Sequence, residues 1–224
     1  MANFFNLTLD TTGPQGVTFV IDGGVAYATS QVVTAAIATS DGVTTGYQMK
    51  VWGAVDTAYD VNVQTLEANS VWVAYATSKT IKLSAVDGSK TVNFKIRDDV
   101  LNEASSSDTI TLDLTAPIAT LSAGPDVIKI SKIATRDTCT FSFTADTHIQ
   151  AWKVKVVPLS SSPESAGTQI ATTSGSTNTT GGALAAATAQ QVTVKGTDLE
   201  AASAGDGAKV IKIFIQDDAG NWSV

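Results

Sequence analysis

Apolar residues in this chain recur at alternate positions in short runs, and clusters of Gly, Asp, Asn, Ser and Thr separate the runs. A period of two puts every second side chain on one face of an extended backbone, so each run reads as a half-buried β-strand. The pattern predicts strands near Val17–Ile21, Gln31–Ala38, Thr44–Trp52, Val71–Tyr75, Thr80–Leu83, Thr91–Arg97 and Asp108–Asp113. It predicts a second set near Ile118–Ser122, Val127–Ser131, Thr138–Thr144, Ala151–Val157, Gln169–Thr172, Gln191–Lys195 and Lys209–Gln216. About seven short strands per hundred residues, with turn signals between them, is the pattern of a β-sandwich. One short helical turn is expected over Thr197–Ala202, with Thr197 as its cap.

The chain repeats itself. Asp87–Asn102 (DGSKTVNFKIRDDVLN) aligns without a gap with Asp206–Asn221 (DGAKVIKIFIQDDAGN), 119 positions on. Each copy has an Asp-Gly turn, an alternating strand and a polar Asp-Asp turn. Val92, Phe94 and Ile96 share one strand face, as do Ile211, Ile213 and Ile215. Leu9–Pro14 (LDTTGP) matches Leu112–Pro117 (LDLTAP) 103 positions on, and Tyr47, Met49 and Val51 match Trp152, Val154 and Val156 at a spacing of 105. The spacing grows from 105 at this strand to 119 at the Asp-Gly turn, so the second copy carries an insertion between them. The Ser, Thr and Gly of Ser160 to Gly182 read as a long surface loop there. The domains expected are an N-terminal strand segment at 1–11, a first domain at 12–115 and a second at 116–224 with its insertion near 160–182.

Composition narrows the function classes. A net charge of −7 with 14 dispersed Lys and Arg among 224 residues is opposite to the basic patch of a nucleic-acid binder. The single Cys139 forms no intramolecular disulfide. The apolar runs are strand-sized, so no membrane association is expected. Met1–Phe5 lacks the basic and apolar regions of a secretory signal; the expectation is a protein that stays in the cytoplasm or leaves by a route needing no signal.

Chemistry-bearing residues are few. His148, the only histidine, lies in the polar stretch DTHIQ and reads as a surface loop residue. Cys139 alternates with Phe141 and Phe143 and reads as a small core residue. No nucleophile–base pair, phosphate-binding loop or zinc spacing is present, so neither enzyme activity nor a cofactor is expected. The metal candidates are the Asp-Asp turns. Asp98, Asp99 and Asn102, and likewise Asp217, Asp218 and Asn221, offer hard oxygens of the type calcium takes, with Asp10 or Asp113 to complete a site. The same residues are ordinary turn formers, which is the expectation adopted. Trp52 and Phe214 fall on the outward parity of their strands; with Trp72 and Tyr75 they are the candidates for an exposed aromatic binding surface.

The segments LDTTGP, DGSKTV and RDDVLN together resemble bacterial and bacteriophage immunoglobulin-like repeats. The match runs through most of the first domain and the two ends of the second. The resemblance implies an all-β chain of two tandem immunoglobulin-like β-sandwich domains. With no export signal, it further implies a non-enzymatic structural protein of a bacteriophage virion, displayed on the capsid or tail surface as a decoration or fibre-type component. Its partners would be other virion proteins and further copies of itself, and it would reach the outside by host lysis. A carbohydrate- or receptor-binding adhesion module, gripping host surface glycans, is the alternative.

One strand is spare and one is missing. Leu7-Thr8-Leu9-Asp10 matches Ile110-Thr111-Leu112-Asp113, the closing strand of the first domain. The second domain has only Trp222-Ser223-Val224 after its Asp-Asp turn, which leaves its preceding strand as an open edge. Phe5, Leu7 and Leu9 on one side, and Ile211, Phe214 and Trp222 on the other, are therefore the interface candidates. Strand addition between neighbouring copies is one expectation. Pairing of the segment within its own chain, or with a different virion protein, is the other.

Overall fold

The structure, a computed structural model, describes residues 5–224. The chain divides between Leu114 and Thr115 into two units, each with its own core. Unit 1 contains β1 (Thr18–Ile21), β2 (Tyr27–Ala28), β3 (Val32–Ala38), β4 (Gln48–Gly53), β5 (Val73–Ala74), β6 (Ser78–Lys82), β7 (Gly88–Arg97) and β8 (Glu103–Leu112). One sheet has the order β1-β3-β6 and the other β2-β8-β7-β4-β5. All pairs are antiparallel except β2 with β8, where Tyr27 faces Thr111 and Ala28 faces Leu112 in parallel.

The repeat strand β7 shows why this sequence folds this way. Val92, Phe94 and Ile96 are fully buried against Phe19, Ile21, Ala35 and Ile37 of the other sheet, and the Phe19 and Phe94 rings stack at 5.3 Å. Each such side chain contributes roughly 1.5–3 kcal/mol on leaving water. β8 is longer than its apolar pattern predicts. Its first half is Glu-Ala-Ser-Ser-Ser, which carries no hydrophobic signal, yet the ladder with β7 continues from Leu112 back to Glu103. β5 is shorter than predicted, and β2, at two residues, is too short for any periodicity to reveal.

Unit 2 contains β9 (Ala119–Ala123), β10 (Thr138–Ala145), β11 (Ile149–Val157), β12 (Thr168–Gln169), β13 (Thr180–Gly181), β14 (Gln190–Lys195), α1 (Gly196–Ala202) and β15 (Val210–Asp217). One sheet has the order β14-β10-β9; in the other, β11 pairs with β15, β12 and β13. Phe141, Phe143, Val192 and Val194 of the first meet Trp152, Val154, Val156 and Ile215 of the second in the core. Both units are thus two-sheet sandwiches.

Three expectations are corrected here. Val127–Ser131 is not a strand despite its alternation. Side-chain contacts replace the ladder there: Asp126 Oδ1 accepts from Thr140 N, and Cys139 Sγ contacts the Val127 carbonyl. Thr197 does not cap α1, because it lies inside the helix with its buried Oγ1 unpartnered, and Lys195 precedes the helix without a side-chain cap.

The third correction concerns the insertion, which is folded structure rather than a surface loop. β12 and β13 both lie along β11, Ile170 and Thr179 are fully buried, and Asp198 of α1 pins the segment between them. Its buried carboxylate accepts hydrogen bonds from Ser174 N (3.0 Å), Ser176 N (2.8 Å) and Thr173 Oγ1 (3.3 Å). Burial pushes this carboxyl's pKa up, but the hydrogen bonds from Ser176 and Ser174 outweigh it and hold it below the ordinary range.

The insertion passes so close to Trp152 that only glycine fits. A Cβ on Gly181 would lie 2.5 Å from Trp152 Nε1, whereas one on Gly182 meets nothing nearer than 4.0 Å. Gly181→Ala is therefore expected to destabilise the protein by about 1–3 kcal/mol through overpacking, and Gly182→Ala by much less. Urea midpoints of the two variants check this; equal midpoints would contradict it.

Candidate functional site

The richest side-chain constellation lies on the outer face of the five-stranded sheet of unit 1. Strand alternation sends Gln48, Lys50 and Trp52 of β4 outward beside Arg97, Lys95 and Asn93 of β7, which are their cross-strand partners in that order. Lys50 directly opposes Lys95, a like-charge pair that would be unfavourable alone. Glu67, delivered by the excursion between β4 and β5, bridges both, 2.9 Å from Lys50 and 2.5 Å from Lys95. Glu103 adds a 3.1 Å contact to Lys95. The Lys95 and Lys50 ammonium groups hold the Glu67 carboxyl below its usual pKa.

Two of the aromatic candidates meet here. Lys50 Nζ lies 5.9 Å from the Trp52 ring centroid and 4.8 Å from that of Trp72, while the Arg97 guanidinium sits 4.2 Å from Trp72. Arg97 is oriented by Gln48 Oε1, which accepts from Nε at 2.9 Å and Nη2 at 2.6 Å. Tyr75 is not part of this surface; it packs against the core. Phe214 is not an exposed aromatic either. It does point outward from its sheet, but it is fully buried. Lys212 and Lys155 lie over its ring at 5.0 and 6.0 Å, and both donate to carbonyls of the insertion, at Ser162 and Glu164. Glu164 also neutralises Lys153 and Lys155, so unit 2 repeats the two-lysine, one-glutamate arrangement of unit 1. Trp222 lies 4.2 Å from Lys153. Sequence reasoning missed Glu67 and Glu164, because both sit in irregular segments whose docking no periodicity encodes.

The Asp-Asp turns are closed by their own hydrogen bonds. Asp98 is buried; its Oδ1 accepts from Asn102 N (2.8 Å) and Val100 N (3.0 Å), and its Oδ2 from Asn102 Nδ2 (2.9 Å). Asp217 is held the same way, from Asn221 N (2.8 Å) and Nδ2 (3.1 Å). Leu101 takes a left-handed φ of 72° in the first turn, and Gly220 occupies the matching position at 99° in the second. Asp99 and Asp218 point to the exposed side, and Asp10 Oδ1 accepts from Thr12 N. Among the described residues, no group of three or more His, Cys, Asp or Glu is arranged to hold a metal ion.

His148 is paired, with Nδ1 2.8 Å from Asp218 Oδ1, and both side chains are about half exposed. Burial pushes the Cys139 thiol pKa up, which suits a packed thiol rather than a nucleophile. No helix among the described residues is long and apolar enough to cross a membrane, which leaves β-barrels unaddressed. Phe5, Leu7 and Leu9 belong to no strand and are 84%, 85% and 86% exposed. Ile211 and Trp222 are partly buried along β15.

Two titrations test this geometry. Burial pushes the Asp98 carboxyl up, but the Asn102 side chain and the backbone N–H groups of the turn outweigh it, so its pKa stands below the usual value. Stability from Asp98 is then present above the ordinary carboxylate range and lost as pH falls through the depressed folded pKa. Asp98→Ala should cost about 1.5–3 kcal/mol at neutral pH, the worth of hydrogen bonds to a charged group, and flatten the acid limb of urea stability; an unchanged limb would contradict it. Burial first, then the hydrogen bond to Asp41 and the charges of Asp41, Asp98 and Asp99, raise the Tyr47 pKa to about 12. Its stabilisation is complete below the unfolded value of 10.0 and disappears as pH rises through about 12. Ultraviolet titration should show one late-ionising tyrosine of the 4 present, absent in Tyr47→Phe.

No family model and no curated protein matches this chain. Its fold is similar to a solved structure of fibronectin(III)-like modules of Clostridium thermocellum CbhA, at 13% identity and a TM-score of 0.44, covering 92% of this chain and 90% of that one. It is also similar to a tetra-tandem repeat in the extending region of a large adhesion protein, at 18% identity and a TM-score of 0.28, covering 94% of this chain and 47% of that one. An Escherichia coli α2-macroglobulin aligns over 97% of this chain and 22% of its own, at 14% identity and a TM-score of 0.35. This chain thus spans about half of the adhesion-protein structure and about a fifth of the macroglobulin. The mostly β, two-module architecture stands on the strand order described above.

Proposed function

We propose that this chain is a non-catalytic recognition module of tandem immunoglobulin-like sandwiches, which works in adhesion by binding carbohydrate or a protein receptor. The observation that carries this reading is the clustering of Trp52, Trp72, Lys50 and Arg97 on one outer sheet face. Flat aromatic rings offer stacking area to a sugar ring or an apolar side chain. The surrounding Gln48, Lys95 and Glu103 offer donors and acceptors for hydroxyl groups. Trp72 already stacks on two cations of its own chain, so it serves to hold the platform, and Trp52 is the contact residue.

A second reading assigns the same modules to the surface of a bacteriophage particle. It is supported by the resemblance of LDTTGP, DGSKTV and RDDVLN to phage immunoglobulin-like repeats. Mass spectrometry of purified particles separates it from a free-standing adhesion module.

Screening the intact chain on a glycan array, then measuring affinity for the best glycan by calorimetry, tests the first reading. Trp52→Ala should weaken binding by roughly tenfold or more, as loss of a central aromatic anchor does, with an unchanged far-ultraviolet spectrum. An array without binding, or a variant that binds as tightly as the parent, would overturn the carbohydrate reading.

A further inference from the structure

The outer edge of β15 is open over most of its length, and a cleft lies along it. In unit 1 the corresponding edge, that of β7, is fully paired with β8, which inserts Ile110 and Leu112 into the core. In unit 2 the ladder begins in the same way. Gln216 pairs with Trp222 as Arg97 pairs with Glu103, and Ser223 N donates to the Ile215 carbonyl at 2.9 Å. No described residue continues the ladder along Val210–Ile213. A cleft of about 780 Å³ lies there, lined by Leu121, Cys139, Phe141, Gly207, Ile211 and Ile213 among others. A second, of about 300 Å³, shares Leu121, Ile211 and Ile213 with it.

Unit 1 carries a segment that fits this gap. Leu7-Thr8-Leu9-Asp10 repeats Ile110-Thr111-Leu112-Asp113 of β8, the strand that fills the equivalent place in unit 1. Among the described residues, Leu7 and Leu9 are two of the most exposed apolar side chains, and neither belongs to a strand. We infer that residues 5–10 of one copy add as an antiparallel strand beside Asp206–Ile211 of a second copy, along the segment that leads into β15 and its first residues, placing Leu7 and Leu9 in the cleft. The register follows from the repeat. In β7–β8, Leu112 faces Gly88, Ile110 faces Lys90 and Asp108 faces Val92. Transferred along the repeat, Leu9 faces Gly207, Leu7 faces Lys209 and Phe5 faces Ile211. Gly207 lines the cleft, as do Lys209 and Ile211. The resident Trp222–Val224 takes the other end of the edge, so donor and resident strands do not overlap. A contact that joins the front of one copy to the back of the next is heterologous and closes into a ring or extends into a filament. It is independent of the aromatic surface of unit 1.

Light scattering of the intact 224-residue chain over a range of concentrations tests this. The expected result is multiples of 23.1 kDa that grow with concentration, and a single-chain mass for Leu7→Asp combined with Leu9→Asp. Both sites are exposed in the single chain, so these changes leave its fold intact. Leu66→Asp, at another exposed leucine, should leave the multiples unchanged. The register is checked separately in a Cys139→Ser background. Leu7→Cys chains mixed with Lys209→Cys chains should oxidise to a two-chain product, since directly opposed strand residues lie within disulfide reach. A single-chain mass at every concentration overturns the inference. If residues 5–10 are then protected from hydrogen exchange, the occupant is the same chain; if they exchange freely, the edge is unoccupied. Multiples that survive the double aspartate variant overturn it as well, by placing the contact elsewhere.

Discussion

The need to cover both faces of the central strand pair governs each unit. The inner faces of β4 and β7, and of β11 and β15, are covered by the opposite sheet of the same sandwich. Their outer faces carry lysines beside aromatic rings, and lysines on neighbouring positions repel one another. In each unit a glutamate bridges two of these lysines, Glu67 joining Lys50 and Lys95 and Glu164 joining Lys153 and Lys155, each brought in by the excursion that follows the first strand of the pair. The path of those excursions is thereby fixed by charge as much as by apolar burial. In unit 2 the result is more complete, since Phe214 is entirely enclosed beneath Lys155 and Lys212.

Much of this architecture is legible in the sequence, and what is not has a physical explanation. Strands buried on one face, such as β3 or β7, announce themselves by alternation. The internal repeat adds the location of the turns, because Asp98 and Asp217 perform the same task with the same partners. Phe214 was misleading because parity reports which way a side chain points and says nothing about a later segment laid over it. Ser160 to Gly182 was misleading for a related reason. Small polar residues usually mark exposed loops, but here they permit close approach, with Gly181 against Trp152 and Ser174 and Ser176 against Asp198. The aromatic site was half legible: Trp52 and Trp72 do converge, but the lysine, arginine and glutamate that organise them come from cross-strand pairing, which spacing alone does not reveal.

The two units also treat their sheet edges differently, and edges decide what a β-protein does in company. Unit 1 closes one edge with β2, held beside β8 by hydrogen bonds from Thr111 N to the Ala26 carbonyl and from Asp113 N to the Ala28 carbonyl, both at 3.0 Å. β2 and β8 are parallel, and they lie toward the opposite ends of the unit's sequence. When the two ends of this unit are pulled apart, and once β1 has peeled away, the tension runs along both strands in opposite senses. The bonds between them are then loaded together in shear and must fail together, whereas bonds pulled open from one end fail one at a time. A two-residue strand that contributes little to the core is therefore the natural mechanical clamp of unit 1.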